Sequence, residues 1–155
     1  MPSEYIMYMS MLFVGALAIA GISATMISIN TTMENKAVQT ELESILQKLS
    51  ESIHTLLNAG ERQIQGGATN VYLALMLTLP SEVQNEEYQI AVESNNVTYV
   101  LVAHLLDKPS IEVQVNLMIE PTTITISGSI QSTQSAPRLV FTYDQGIKSI
   151  ILEAA

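Results

Sequence analysis

No cysteine occurs in the 155 residues. That excludes disulfides, thiol catalysis and cysteine zinc sites, and it leaves the redox compartment open. Tryptophan is also missing, and only six residues are basic against fifteen acidic ones. The six, Lys36, Lys48, Arg62, Lys108, Arg138 and Lys148, are scattered along the chain. A net charge of -9 and a pI near 4.5 argue against nucleic acid as a partner, since that needs Lys and Arg along a phosphate track. Histidine is scarce too: His54 and His104 stand fifty residues apart, without a second ligand in sequence reach. Metal sites need several convergent ligands, so both read as structural. The chain has no G-x-S-x-G elbow, and Gly66-Gly67 lacks the Lys-Ser/Thr of a phosphate loop. Glu86-Glu87 reads as a solvated pair of acids, and a non-enzymatic protein is the expectation.

What is present is a long apolar run. Between Glu4 and Glu34 there is no Asp, Glu, Lys or Arg. A secretory signal has a basic start and a short apolar stretch. Here the run from Tyr5 to about Ile29 is longer and nothing basic precedes it. It is long enough to cross the ~30 Å of a bilayer core or to form the core helix of a filament. Residues 5–29 are therefore expected to face membrane lipid or like helices. Ala16, Ala20 and Ala24 recur at four-residue spacing with Gly21 beside them, a narrow side where another helix backbone can approach. The ordinary reading is equally open, because Gly and Ala are common in membrane helices. Tyr5 and Tyr8 suit a membrane interface.

After Asn30 the pattern turns amphipathic without Pro or Gly at the junction. Val38, Leu42, Ile45, Leu49, Ile53 and Leu56 form one stripe at three- and four-residue spacing. Gly60 is the expected stop, Gly66-Gly67 the expected joint between helix and β domain, and Asn30-Thr31-Thr32 the weakest helical point. From Val71 the period is two. Strands are predicted over 71–79, 87–93, 97–106, 111–120, 122–130, 138–144 and 147–153, with turn chemistry between them. The fold class is α+β: an apolar-then-amphipathic helix followed by a mostly antiparallel, sandwich-like or curved β domain, one of whose faces the half-helix covers. The divisions expected are 1–30 for the apolar helix, 31–60 for its amphipathic continuation, 61–70 for a linker and 71–155 for the β domain.

Two glycosylation sequons start at Asn30 and Asn96. Lys36 and Lys48, following the apolar run, place the β domain in the cytoplasm by the positive-inside rule. The acidic surface, the Thr/Ser-rich strand faces, the missing cysteine and the sequons point outside.

Glu4-Tyr5-Ile6-Met7 running into LFVGALAIAGISA resembles the start of the G type of the small archaellum-associated accessory proteins, F and G. LPSEVQNEEYQIAV is similar to a leucine-proline to tyrosine hairpin of archaeal pilin-like surface domains. The architecture as a whole looks like the archaeal type IV pilin-like superfamily, which also holds archaellins and adhesive pilins. The resemblance implies an extracytoplasmic β domain, membrane-anchored or in an extracellular filament. It further implies self-assembly or contact with other filament components or a surface-layer protein, and no cofactor. The basic leader of a prepilin is not seen before Glu4, so an unprocessed accessory protein is expected ahead of a filament subunit. A different reading is a single-span binding module for an envelope protein or glycan, with the row Thr123, Thr125, Ser127 and Ser129 as its candidate surface.

Overall fold

A computed structural model describes residues 2–95 and 97–154, with side chains from Glu4 onward. One helix, α1 (Pro2–Gln65), precedes seven strands: β1 (Asn70–Met76), β2 (Tyr88–Ser94), β3 (Tyr99–Leu105), β4 (Glu112–Asn116), β5 (Thr125–Gln131), β6 (Pro137–Asp144) and β7 (Ile147–Ala154). This is the expected α+β fold. Chain compactness divides it into two units, 1–37 and 38–155, seven residues later than the composition change suggests.

In the second unit the strands join in one sheet of order β1-β6-β7-β5-β2-β3-β4. All pairs are antiparallel except β5 with β7. β2, β3 and β4 form a meander, and β6 and β7 a hairpin whose Asp144-Gln145-Gly146-Ile147 turn uses positive φ at Gln145 (49°) and Gly146 (89°). β5 is the seam between the two groups. It pairs with β7 through Gly128 and with β2 from Ser129 on. Gly128 has φ 114°, and a Cβ there would overlap the Leu152 carbonyl oxygen, so only glycine allows the strand to change neighbours so close to β7.

The core lies between this sheet and the amphipathic part of α1. Leu42, Leu46, Leu49 and Ile53 meet Ile90, Leu101, Leu105, Leu117, Ile130, Leu139 and Phe141, all essentially without solvent contact. Each such side chain contributes about 1.5–3 kcal/mol on burial. Polar ties sit at the margin: Lys148 Nζ meets Glu61 Oε1 at 2.9 Å and joins β7 to the helix. Between β1 and β2, Val83-Gln84-Asn85-Glu86 closes a two-residue turn by reciprocal 2.9 Å backbone bonds, with φ 52° and 63° at its centre. Val83 is buried beneath it, and Gln84 Nε2 donates to Glu41 Oε2 of the helix at 3.2 Å.

The expected end of α1 needs correction. The helix passes through Gly60 and ends five residues later. Gly60 is buried against the Phe141 ring, so its missing Cβ serves packing and not termination. The stop is at Gly67 (φ 93°): its N–H donates to the Ile64 carbonyl at 2.9 Å, and the Ala68 N–H to that of Gln63 at 3.1 Å. These two bonds form the left-handed cap that satisfies the last carbonyls. The linker therefore shrinks from 61–70 to residues 66–69. The helix continues through Asn30-Thr31-Thr32 as expected, and there the Thr31 and Thr32 hydroxyls donate back to the Ile27 and Ser28 carbonyls at 3.0 and 2.8 Å.

Candidate functional site

The first unit is built of helix alone, and residues 4–34 are exposed throughout. Among the described residues none of the most apolar 18-residue stretch is buried. Residues 5–33 rise about 43 Å at 1.5 Å each, more than the ~30 Å hydrocarbon core needs. This is one helix long and apolar enough to span a membrane.

Sixteen large apolar or aromatic side chains between Tyr5 and Met33 stand 54–72% exposed. Removing them from water is worth on the order of 25 kcal/mol. An exposed apolar surface of this size fits membrane anchoring by length and composition. The polar side chains here are compatible with an apolar cover. Ser10 Oγ donates to the Met7 carbonyl at 2.8 Å, and Thr25 Oγ1 to the Gly21 and Ile22 carbonyls at 2.7 and 3.0 Å. A hydroxyl that returns to its own helix carries a smaller penalty into hydrocarbon than an open one.

Ala16, Ala20 and Ala24 share one side of this helix at i, i+4 spacing, with Gly21 adjoining. Among the described residues a Cβ added at Gly15 or Gly21 would meet no atom within 4 Å. Asn30 is exposed, and its amide donates to Glu34 Oε1 at 3.2 Å. Asn96 lies outside the described residues. Thr98 of the same sequon is buried, its hydroxyl donating to Asn116 Oδ1 at 2.9 Å and to the Ile119 carbonyl at 3.2 Å.

The chain belongs to a family of unknown function (DUF7266). The family's sequence profile matches residues 4–152, covering the exposed helix and the β domain together. No curated protein and no solved structure matches the chain.

The β domain offers less chemistry. Among the described residues no group of three or more His, Cys, Asp or Glu is placed to hold a metal ion. His54 and His104 are half-buried on different elements. The row Thr123, Thr125, Ser127 and Ser129 is exposed on one side of β5 and its approach. A hollow of about 160 Å³ lies beside Glu41, Lys48, Leu79 and Pro80, room for a few waters. Near it the buried Tyr88 hydroxyl donates to the Pro80 carbonyl at 2.6 Å. Burial, and then the nearby Glu41 charge, push its pKa up to about 12. It is a locked structural phenol, and its place in LPSEVQNEEY gave only the turn and not the buried bond. A second feature that local periodicity does not reveal is that β1 is an edge of the sheet.

Proposed function

We propose that the protein is a non-enzymatic, membrane-anchored, pilin-like structural component of an archaeal surface filament apparatus, with its β domain outside the cytoplasm. The observation that carries this reading is the change of environment along α1. Residues 5–33 carry no Asp, Glu, Lys or Arg and are exposed, while a stripe beginning at Val38 is packed into the β domain. Such a helix serves two solvents, an apolar one outside the chain and the protein's own core. The likeness of its start and of the 79–92 hairpin to pilin-like proteins supplies the apparatus. The filament subunit itself is the second reading, favoured by the uncovered small side at Ala16, Ala20, Gly21 and Ala24, which suits close helix bundling.

Filaments sheared from intact cells and carbonate-washed membranes separate the two, with the protein's intact mass measured in each. Recovery in washed membranes alone is expected of the anchored component. Recovery in sheared filaments makes it a subunit. Release of the whole pool into the carbonate supernatant overturns both. Protease added to intact cells should digest residues 38–155, and their protection would put the β domain inside.

A further inference from the structure

The two edges of the sheet are treated differently. β4 is short, presents Glu112, and ends in an irregular turn with Met118 at φ 54°. Shortness, charge and irregularity are the usual guards of an edge. β1, NVYLALM, has none of them. It lies within residues 63–81, a stretch of the chain without Asp, Glu, Lys or Arg. The Leu77 N–H donates to the Pro137 carbonyl at 2.8 Å, which continues the β1–β6 register. By antiparallel alternation the odd residues of β1 bond to β6, and Tyr72, Ala74 and Met76 turn their N–H and C=O groups to the open side. Their side chains lie away from the helix-covered core, with Tyr72 64% and Met76 59% exposed.

We propose that this edge pairs with β1 of a second copy, antiparallel about a two-fold axis at Ala74, giving a sheet continuous across two chains. Two features select a copy of the same chain. In a protein of net charge -9, like molecules approach best where no carboxylate stands, and β1 is such a place. The strand is also self-complementary: with Ala74 opposite Ala74 of the second copy, each Tyr72 ring faces the other copy's Met76 and the open backbone groups match. Pairing in this way also covers the exposed aromatic and thioether. The inference rests on the anchoring reading in one respect, since helices held in one membrane or filament raise the local concentration at which a single strand pair forms.

The absence of native cysteine makes the test direct. Ala74→Cys in the full-length chain, oxidised in membranes of the expressing cells and run without reductant, should give a disulfide dimer. Paired Cα atoms about 5.5 Å apart are within bridging range. Gln114→Cys on β4 is the control for chance collision. The expected result is at least about fivefold more dimer from Cys at 74 than at 114, falling to the control level when Tyr72→Lys places a charge on the edge. Equal yields at both positions, a monomer at both, persistence with Tyr72→Lys, or a cross-link whose mass is that of a different protein overturns the copy-to-copy pairing. A membrane-bound monomer overturns the pairing and leaves the anchoring reading standing. A carbonate-soluble protein that still gives the Tyr72-dependent dimer does the reverse.

Discussion

Gly60→Ala separates two explanations of one glycine. Helix propensity alone favours the substitution by about 1 kcal/mol, because Gly is a poor residue inside a helix. Packing opposes it. A Cβ at Gly60 would stand 2.7 Å from Cδ1 of Phe141 and closer still to Cε1 and Cζ. Phe141 is fully buried and held between Leu73 of β1 and Ile150 of β7 in the sheet register, so its rigid ring has no open direction to move. Overpacking costs about 1–3 kcal/mol, and three overlapping ring atoms put this case at the upper end. The net expectation is a destabilisation of about 2 kcal/mol, equivalent to a fall in Tm of roughly 5–10 °C for a unit of this size.

Detergent micelles keep the apolar helix covered, and near-ultraviolet circular dichroism of the tyrosines follows melting of the β domain without interference from the micelle-held turn. Gly15→Ala, where an added Cβ meets nothing within 4 Å, controls for propensity. Phe141→Leu clears the obstruction at its own cost, and Gly60→Ala added to it should then be neutral or stabilising, a coupling of about 2 kcal/mol between contacting sites. A rise in Tm for Gly60→Ala in the native background, or strict additivity with Phe141→Leu, would refute the close-packing account.

The remaining expectations use the same reasoning at other positions. Gly128→Ala meets both a positive φ and the Leu152 carbonyl, so it should cost upwards of about 2 kcal/mol in chemical denaturation; a neutral result would mean the β5 seam is not held as described. Leu46→Ala, at a fully buried position on the helix, should lose about 2–5 kcal/mol, read as a lower urea midpoint. Tyr88 has its pKa raised in the folded chain, so the protonated phenol favours folding. The associated stability is complete below pH 10 and is lost as pH climbs to about 12, at most on the order of 2–3 kcal/mol, and Tyr88→Phe should flatten that part of the pH–stability curve. Ala20→Leu should leave the β domain's stability unchanged, because Ala20 is exposed and lies outside the unit that holds the core. It should reduce recovery in filaments or complexes, measured by shearing and mass, and unaltered recovery would remove Ala16, Ala20, Gly21 and Ala24 as a packing side.

The strands are legible because period two survives even where the ladder does not. Ile111, Val113, Val115, Leu117 and Ile119 keep to the inner side although β4 ends at Asn116. There the Tyr99 carbonyl accepts from Leu117 while its N–H donates to Ile119, an irregularity that alternation conceals. Strand order is not written locally. β1 pairs with β6 across more than sixty residues, and β5 runs parallel to β7, choices set by global packing rather than by any segment's own pattern. Gly60 reads as a stop because the conformational signature of a cap glycine and that of a close-packed one are the same letter. Only the Phe141 ring on one and the left-handed φ of Gly67 on the other tell them apart.

The candidate site divides along the same line. That residues 5–33 are long and apolar enough to leave water follows from composition, and burying their exposed side chains would contribute on the order of 25 kcal/mol. What receives them does not follow, because lipid tails and the sides of like helices are equally apolar and select the same residues. The discriminating information lies in the few positions where the two covers differ. A helix backbone can enter the notch at Ala16, Ala20 and Ala24, whereas lipid gains nothing from it. Filling that notch therefore asks the question the apolar run cannot answer. If assembly is insensitive to bulk there, the cover is lipid and contact between copies falls to the β domain, where the uncharged edge of β1 is the surface suited to it.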